Sequence, residues 1–314
     1  MEKLELAISE IKAQLPGMEL MENEPMAGHC SFKIGGPVRA IAWPENVQSL
    51  EEICRILKKY GHAPYMLGNA TNILIPDEGL KQVFIICSTK LEEMFLTEDG
   101  AICAQAGISL AKLASFAYQN SLEGLEFASG IPGSIGGGLM MNAGAYGGEL
   151  KDVVESVQAY SLKEQRIVEI PGADCRFGYR TSLFQQEGGY VLLSAKFRLN
   201  KGEQAAIAAK SRELNEKRRD KQPLDLPSAG SAFRRPVGGF AAALIEQAGL
   251  KGYAIGGAQV SEKHAGFVVN RGGATAAEVR ELMAYIKKTV LEKTGVDLTP
   301  EMIMLSPELE MKEE

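Results

Sequence analysis

The chain contains no G-x-x-x-x-G-K-[ST] segment, no H-E-x-x-H and no C-x-x-C, and each absence removes a class of function. Without the first, a P-loop nucleotidase is unsupported. Without the other two, and with only His29, His62 and His264 as imidazoles, metal catalysis has no evident ligand set. The five cysteines (Cys30, Cys54, Cys87, Cys103 and Cys175) are odd in number and scattered, which fits reduced thiols in a cytoplasm better than a disulfide framework. No apolar run approaches the ~18 residues of a membrane span. Glu2, Lys3 and Glu5 stand where a signal peptide would need an apolar core, so a cytosolic protein is expected. A net charge of −6 over 314 residues gives no basic stripe for nucleic acid. The one dense basic cluster, Lys217, Arg218, Arg219 and Lys221, reads first as the solvated end of a helix and second as a place to hold an anionic substrate.

What is present is ordinary in bulk, with 45% hydrophobic and 24% charged residues, and long enough for two or three cores. Leu4, Ile8, Ile11 and Leu15 recur at helical spacing, as do Val47, Leu50, Ile53, Leu57 and Tyr60, with Gly61 as a C-terminal cap. Val83 to Cys87 reads as a buried strand, and Ser109 to Asn120 as a helix. Strands follow at 154–161 and 166–170, and Val191, Leu193, Ala195, Phe197 and Leu199 alternate with their neighbours as one face of another. A polar helix over 203–221 leads to Pro223 and Pro227, which end it. Helices are then expected over 240–249 and after Thr275, where Glu278 completes a capping box. Short strands and helices without regular β-α-β alternation point to α+β domains rather than a doubly wound sheet.

The most informative stretch is Ser129 to Gly148, SGIPGSIGGGLMMNAGAYGG, glycine-rich and free of charged side chains. Glycines let bare backbone approach a ligand and free N–H groups to cradle an anion such as a diphosphate. A flexible surface linker is the alternative, and Ile131, Ile135, Leu139, Met140 and Met141 count against it. Met141 occupies the third glycine position of G-x-G-x-x-G, so the dinucleotide fingerprint is not met. Three other segments carry polar chemistry. LGNATNIL (67–74) offers amide and hydroxyl groups in a turn. FGYRTS (177–182) holds Arg180, shaped to grip a carboxylate or phosphate and equally able to pin its own loop through a salt bridge. PSAGSAFRR (227–235) holds Ser231 between glycine and an aromatic segment, with no G-x-S-x-G around it.

These segments, together with SFKIGG (31–36), HAGFVVN (264–270) and LTPEM (298–302), resemble the bacterial UDP-N-acetylenolpyruvoylglucosamine reductase family, in order and over most of the chain. The resemblance implies an α+β protein with an FAD-binding unit of the vanillyl-alcohol-oxidase type, in two subdomains at 1–88 and 89–203. A substrate domain would follow at 204–296, with 297–314 returning to the first subdomain. It implies flavin contacts from Gly68, Asn69, Ala70, Thr71 and Asn72, and from Gly130, Ile131, Pro132, Gly133, Ser134, Gly136, Gly137, Asn142, Ala143 and Gly144. Arg180, Ser231 and Glu301 would be catalytic, and Tyr179, Arg180, Lys221, Ser231 and Arg234 would meet the substrate. NADPH would reduce the flavin, and the enolpyruvyl ether of UDP-N-acetylglucosamine would then accept hydride at C3 and a proton from Ser231 at C2, as a step of peptidoglycan precursor synthesis. A monomer or weak oligomer is expected. The turn at Gly68–Asn72 lacks two glycines of the more usual pattern, Arg235 stands where some members carry asparagine, and no tyrosine-bearing insertion separates Tyr190 from Lys221. The shorter family subtype is the match.

Overall fold

The structure, a computed structural model, describes residues 2–309. The apolar run at Val83–Cys87 belongs to a strand, Leu80–Cys87, in a four-stranded sheet of order Glu19–Pro25, Pro37–Trp43, Leu80–Cys87, Tyr65–Leu67. This strand pairs in parallel with both neighbours and is covered on both faces, the burial that makes a strand read as an unbroken apolar run. Phe84 and Ile86 join Leu4, Ile8, Ile11, Leu50 and Ile53 of the helices Glu2–Gln14 and Val47–Lys59. Val83, Ile85 and Cys87 belong to a different cluster, shared with Ile245, Val279, Leu282 and Ile286 from the last third of the chain. Asn46 caps the second helix by accepting from Ser49 N–H at 2.9 Å.

The second sheet is antiparallel throughout, in the order Arg166–Pro171, Val154–Ser161, Tyr190–Phe197, Ile102–Gln105, Met94–Leu96. The strand Tyr190–Phe197 departs from strict alternation. Ala159 faces Leu192 while Gln158 faces Ser194, so Leu193 is the extra residue of a β-bulge. Val191 and Leu193 therefore join the cluster under the first-sheet helices, whereas Leu192, Ala195 and Phe197 join the core beneath the helix Leu110–Gln119. One strand thus serves two cores.

A long helix, Gln204–Lys221, leads to a third sheet of order Ser228–Ser231, Phe267–Asn270, Ala258–Val260, Ala254–Ile255. The helices Ala241–Gln247 and Ala276–Thr294 pack with it. The capping box forms, with Thr275 Oγ1 accepting from Glu278 N–H and Glu278 Oε2 from Thr275 N–H. Asp77 reaches the same helix end from the first unit and accepts from Ala276 and Ala277 N–H at 2.8 and 3.0 Å. Ile303–Met304 then pairs in parallel with Ile73–Leu74. The remainder of the expected returning segment, 310–314, lies outside the described residues.

All five cysteines are free, and burial pushes the Cys175 thiol up to about 12. Among the described residues, no helix is long and apolar enough to cross a membrane.

Candidate active site

Inside Ser129–Gly148 the chain forms a short helix, Ile135–Met140, whose N-cap Ser134 accepts from Gly137 N–H at 3.3 Å. Glycine disfavours helix by roughly 1 kcal/mol per residue, so packing must hold this turn. Ile135 and Leu139 are fully buried. A Cβ on Gly138 would lie 2.9 Å from Leu150 Cδ1 and 3.3 Å from Leu110 Cδ1, and one on Gly136 3.2 Å from Ala106 Cβ. The glycines allow the segment to lie against the second core, where Ile135 and Gly136 N–H donate to Ile108 O and Ala106 O at 2.8 and 2.9 Å.

The turn Gly68–Asn72 meets this loop directly. Thr71 Oγ1 donates to Pro132 O at 3.1 Å, and a Cβ on Gly68 would stand 2.3 Å from Ser134 Oγ. Gly133 has φ +145° and Ala70 φ +46°, so both segments expose backbone in conformations that side chains disfavour. Among the described residues, the Asn69 amide has no hydrogen-bond partner. Two facing segments of bare backbone, with the Ser134 and Thr71 hydroxyls between them, form a cradle that Cβ atoms would fill. That arrangement fits the diphosphate of a dinucleotide such as FAD. Gly68→Ala is expected to displace the Ser134 hydroxyl from its cap and cost about 1 kcal/mol. Because Ser134→Ala removes the same cap, denaturant unfolding of the double variant should show less than the sum of the single losses; strict additivity would refute this contact.

Asn142, expected among the cofactor residues, has its side chain engaged with protein. It is 1% exposed at φ +43°, donates to Glu149 Oε2 at 2.9 Å and Gly178 O at 3.0 Å, and accepts from Lys151 N–H at 3.0 Å. Gly178 opens the tight turn that ends at Thr181. Ser182, just after it, donates to Met140 O at 2.8 Å. Two side chains therefore fasten the Arg180 turn to the glycine segment. Asn142→Ala strands buried partners and should destabilise the fold by about 1–3 kcal/mol. It should also slow substrate turnover more than it weakens flavin binding; the opposite ranking in flavin titration and steady-state kinetics would return Asn142 to the cofactor set.

Arg180 adopts φ +55°, rare for a residue with a side chain. Its Nε donates to Glu301 Oε1 at 2.7 Å, its Nη2 to Gly144 O at 3.4 Å, and its guanidinium lies 5.4 Å from the Tyr179 ring centroid. Tyr179 OH donates to Glu301 Oε2 at 3.4 Å and accepts from Arg235 N–H at 3.1 Å. Glu301, only 9% exposed, donates its own N–H to Ala232 O at 2.9 Å, next in sequence to Ser231. Ser231 ends the strand Ser228–Ser231 after a register shift, with Gly230 at φ +74°. Among the described residues its hydroxyl has no hydrogen-bond partner. Ser31 ties this strand to the Gly68–Asn72 turn by donating to Ser228 O at 2.7 Å and to Ala70 O at 3.4 Å.

Arg180, Tyr179, Glu301 and Ser231 are thus brought together from three distant stretches of chain. Arg234 is anchored by its N–H to Thr299 O at 2.8 Å, and its Nε is buried without a partner among the described residues. Lys221 is exposed at the end of its helix. Arg218 belongs to the basic cluster expected first as a solvated helix end and second as a place for an anion. It is 8% exposed, its guanidinium donates to Gly130 O, and burial pushes its pKa down. The available signal was spacing, since Ile207, Leu214 and Arg218 fall on one helical stripe and are the buried residues of that helix.

A family model described as FAD binding domain matches residues 38–170, and one described as UDP-N-acetylenolpyruvoylglucosamine reductase, C-terminal domain, matches 222–305. A UDP-N-acetylenolpyruvoylglucosamine reductase from Caldanaerobacter subterraneus is 44% identical over 297 residues, spanning 95% of this chain and 97% of the relative. The chain belongs to the UDP-N-acetylenolpyruvoylglucosamine reductase family. A relative of the same name from Syntrophomonas wolfei is 43% identical across 96% of this chain and 99% of its own. The crystal structure of a family member from Thermus caldophilus superposes with a TM-score of 0.78 at 28% identity, covering 92% of this chain and 99% of that one. Members of this family are flavin oxidoreductases, and the α+β class and FAD-binding unit expected from the resemblance are both found.

Proposed function

We propose that the chain reduces UDP-N-acetyl-3-O-(1-carboxyvinyl)-glucosamine to UDP-N-acetylmuramate, with FAD as cofactor and NADPH as reductant, in the cytosol. The observation that carries the reading is the meeting of Arg180, Glu301 and the Ser231 strand beside the Gly68–Asn72 turn. The division into 1–88 with the returning C-terminal segment, 89–203 and 204–296 is part of the same proposal. Its support is that each stretch carries its own sheet.

The chemistry the flavin supplies when bound is hydride transfer, from NADPH to C3 of the enolpyruvyl group. The chain's own residues handle the charge and the proton. Hydride addition at C3 leaves negative charge at C2 and its carboxylate. Arg180 faces that charge, and an oriented cation in a site shielded from water lowers the energy of such a state most strongly. Only its Nε is committed to Glu301 at short range, so guanidinium donors remain for the substrate carboxylate. Glu301 holds the guanidinium in place, and the ion pair answers the like-charge problem a lone carboxylate would pose there. Ser231 gives its hydroxyl proton to C2, completing addition of a hydride and a proton across the double bond. A serine is a weak acid, so the transfer is coupled to the charge growing at C2. Tyr179 and Arg234 line the substrate side. Lys221, exposed at the end of its helix, is free to meet the nucleotide's phosphates.

One anaerobic titration tests the reading. NADPH should bleach the yellow protein, and the enolpyruvyl substrate should restore its colour. Bleaching that this substrate fails to reverse would indicate another flavin oxidoreductase, and colour that NADPH never bleaches would indicate a flavin-binding module without this activity.

A further inference from the structure

The helix Gln204–Lys221 sorts its charges by face. Arg212, Asn215 and Arg219 recur at i, i+3 and i+7, and with Arg218 they line a cleft of about 420 Å3 completed by Ser129, Gly130 and Leu224. Glu213 sits elsewhere, bound to Lys210 and Lys217, and Glu216 and Asp220 follow it at i+3 and i+7 on that same face. No acid lines the cleft, and among the described residues no carboxylate pairs with Arg212, Arg218 or Arg219. Arg218 is committed to Gly130 O and buried. Arg212 and Arg219 are exposed and Asn215 Oδ1 accepts from Ser129 Oγ at 3.4 Å; among the described residues, both guanidinia and the Asn215 amide N–H groups have no partner. A local concentration of three positive charges on a chain of net charge −6 needs an external counter-charge or a reason to persist without one.

We infer that this cleft receives the 2′-phosphate of NADPH and thereby selects NADPH over NADH, an inference that rests on the reductase reading above. Of the three ligands in that reading, NADPH alone carries a phosphomonoester. FAD and the UDP-sugar carry diphosphates, whose phosphorus atoms each bear a single charge. A monoester bears close to two charges near neutral pH, and guanidinia bind it through paired charge-assisted hydrogen bonds. The cleft also has the right address. It opens at Ser129 and Gly130, where the flavin loop begins, so a dinucleotide whose nicotinamide end lies at the flavin can leave its phosphorylated ribose at this rim. Leu224, more than half exposed, supplies an apolar wall beside it.

The test is anaerobic stopped-flow reduction of the FAD-loaded Arg212→Ala/Arg219→Ala protein by NADPH and by NADH in parallel. Losing charge-assisted contacts should raise the dissociation constant for NADPH by about tenfold or more, leave that for NADH unchanged, and leave the limiting reduction rate near wild type. Inhibition by 2′,5′-ADP should weaken in the same proportion, inhibition by 5′-ADP should not, and the double lysine variant should recover part of the preference. Equal shifts for both nucleotides, or none, overturn the inference. So does a shift confined to the enolpyruvyl substrate or to FAD affinity, which would assign the cleft to a diphosphate. If NADPH fails to bleach the wild-type flavin, both readings fall together. If it bleaches but the arginines leave its preference untouched, only the cleft assignment falls.

Discussion

Replacing Ser231 with alanine should leave reduction of the bound flavin by NADPH near the wild-type rate and slow its reoxidation by the enolpyruvyl substrate about a hundred- to ten-thousand-fold, the range that removal of a positioned general acid produces. The asymmetry follows from where the hydroxyl sits. The backbone on either side of it is fixed without help from the side chain: Ala232 N–H donates to Gly266 O at 2.8 Å, and Ala232 O accepts from Glu301 N–H at 2.9 Å. The hydroxyl makes no hydrogen bond among the described residues, so its loss leaves no protein partner unsatisfied. Folding and the flavin cradle should be unaffected. NADPH gives up its hydride without needing a proton at C2, so the first half-reaction does not use Ser231. Stopped-flow absorbance of each half-reaction separates the two. Equal slowing of both would sink the proton-donor assignment.

Much of this site is legible in the sequence because local chemistry dictates local shape. The Thr275–Glu278 box predicts a helix start, and the structure has both reciprocal hydrogen bonds. Ser231 follows a glycine in PSAGS, and that glycine takes φ +74°, a turn open to it at little cost. What the sequence hides are features set by partners far along the chain. The turn of helix inside the glycine run contradicts glycine's own preference and exists because Ala106, Leu110 and Leu150 lie where a Cβ would collide. The bulge at Leu193 is invisible in an alternation that looks regular, because register belongs to the pair of strands and not to either alone. Arg218 reads as solvated until Gly130 O, 88 residues away, is placed beside it. Lys221 stands exposed at the end of the same helix.

Glu301→Gln is the sharper test of the electrostatic arrangement, since it removes charge while keeping shape. The glutamine carbonyl can still accept from Arg180 Nε, the contact now made at 2.7 Å, and the backbone bond from residue 301 to Ala232 O does not involve the side chain. Arg180 should therefore keep its strained turn and its approach to Gly144 O. What changes is the balance of charge around it. A neutral partner no longer offsets the guanidinium or orients it through an ion pair in a nearly buried site, where such interactions weigh far more than at the surface. The expected result is again near-normal reduction by NADPH, with reoxidation slowed by roughly a hundred- to a thousand-fold, comparable to loss of one preorganised electrostatic group in other active sites. Glu301→Ala should add a folding penalty, because it leaves the partly buried guanidinium without its counter-ion. If Glu301→Gln instead matches wild type in both half-reactions while Glu301→Ala unfolds more easily, the carboxylate merely secures the returning C-terminal segment. The Arg180 guanidinium would then act alone on the charge that develops at C2.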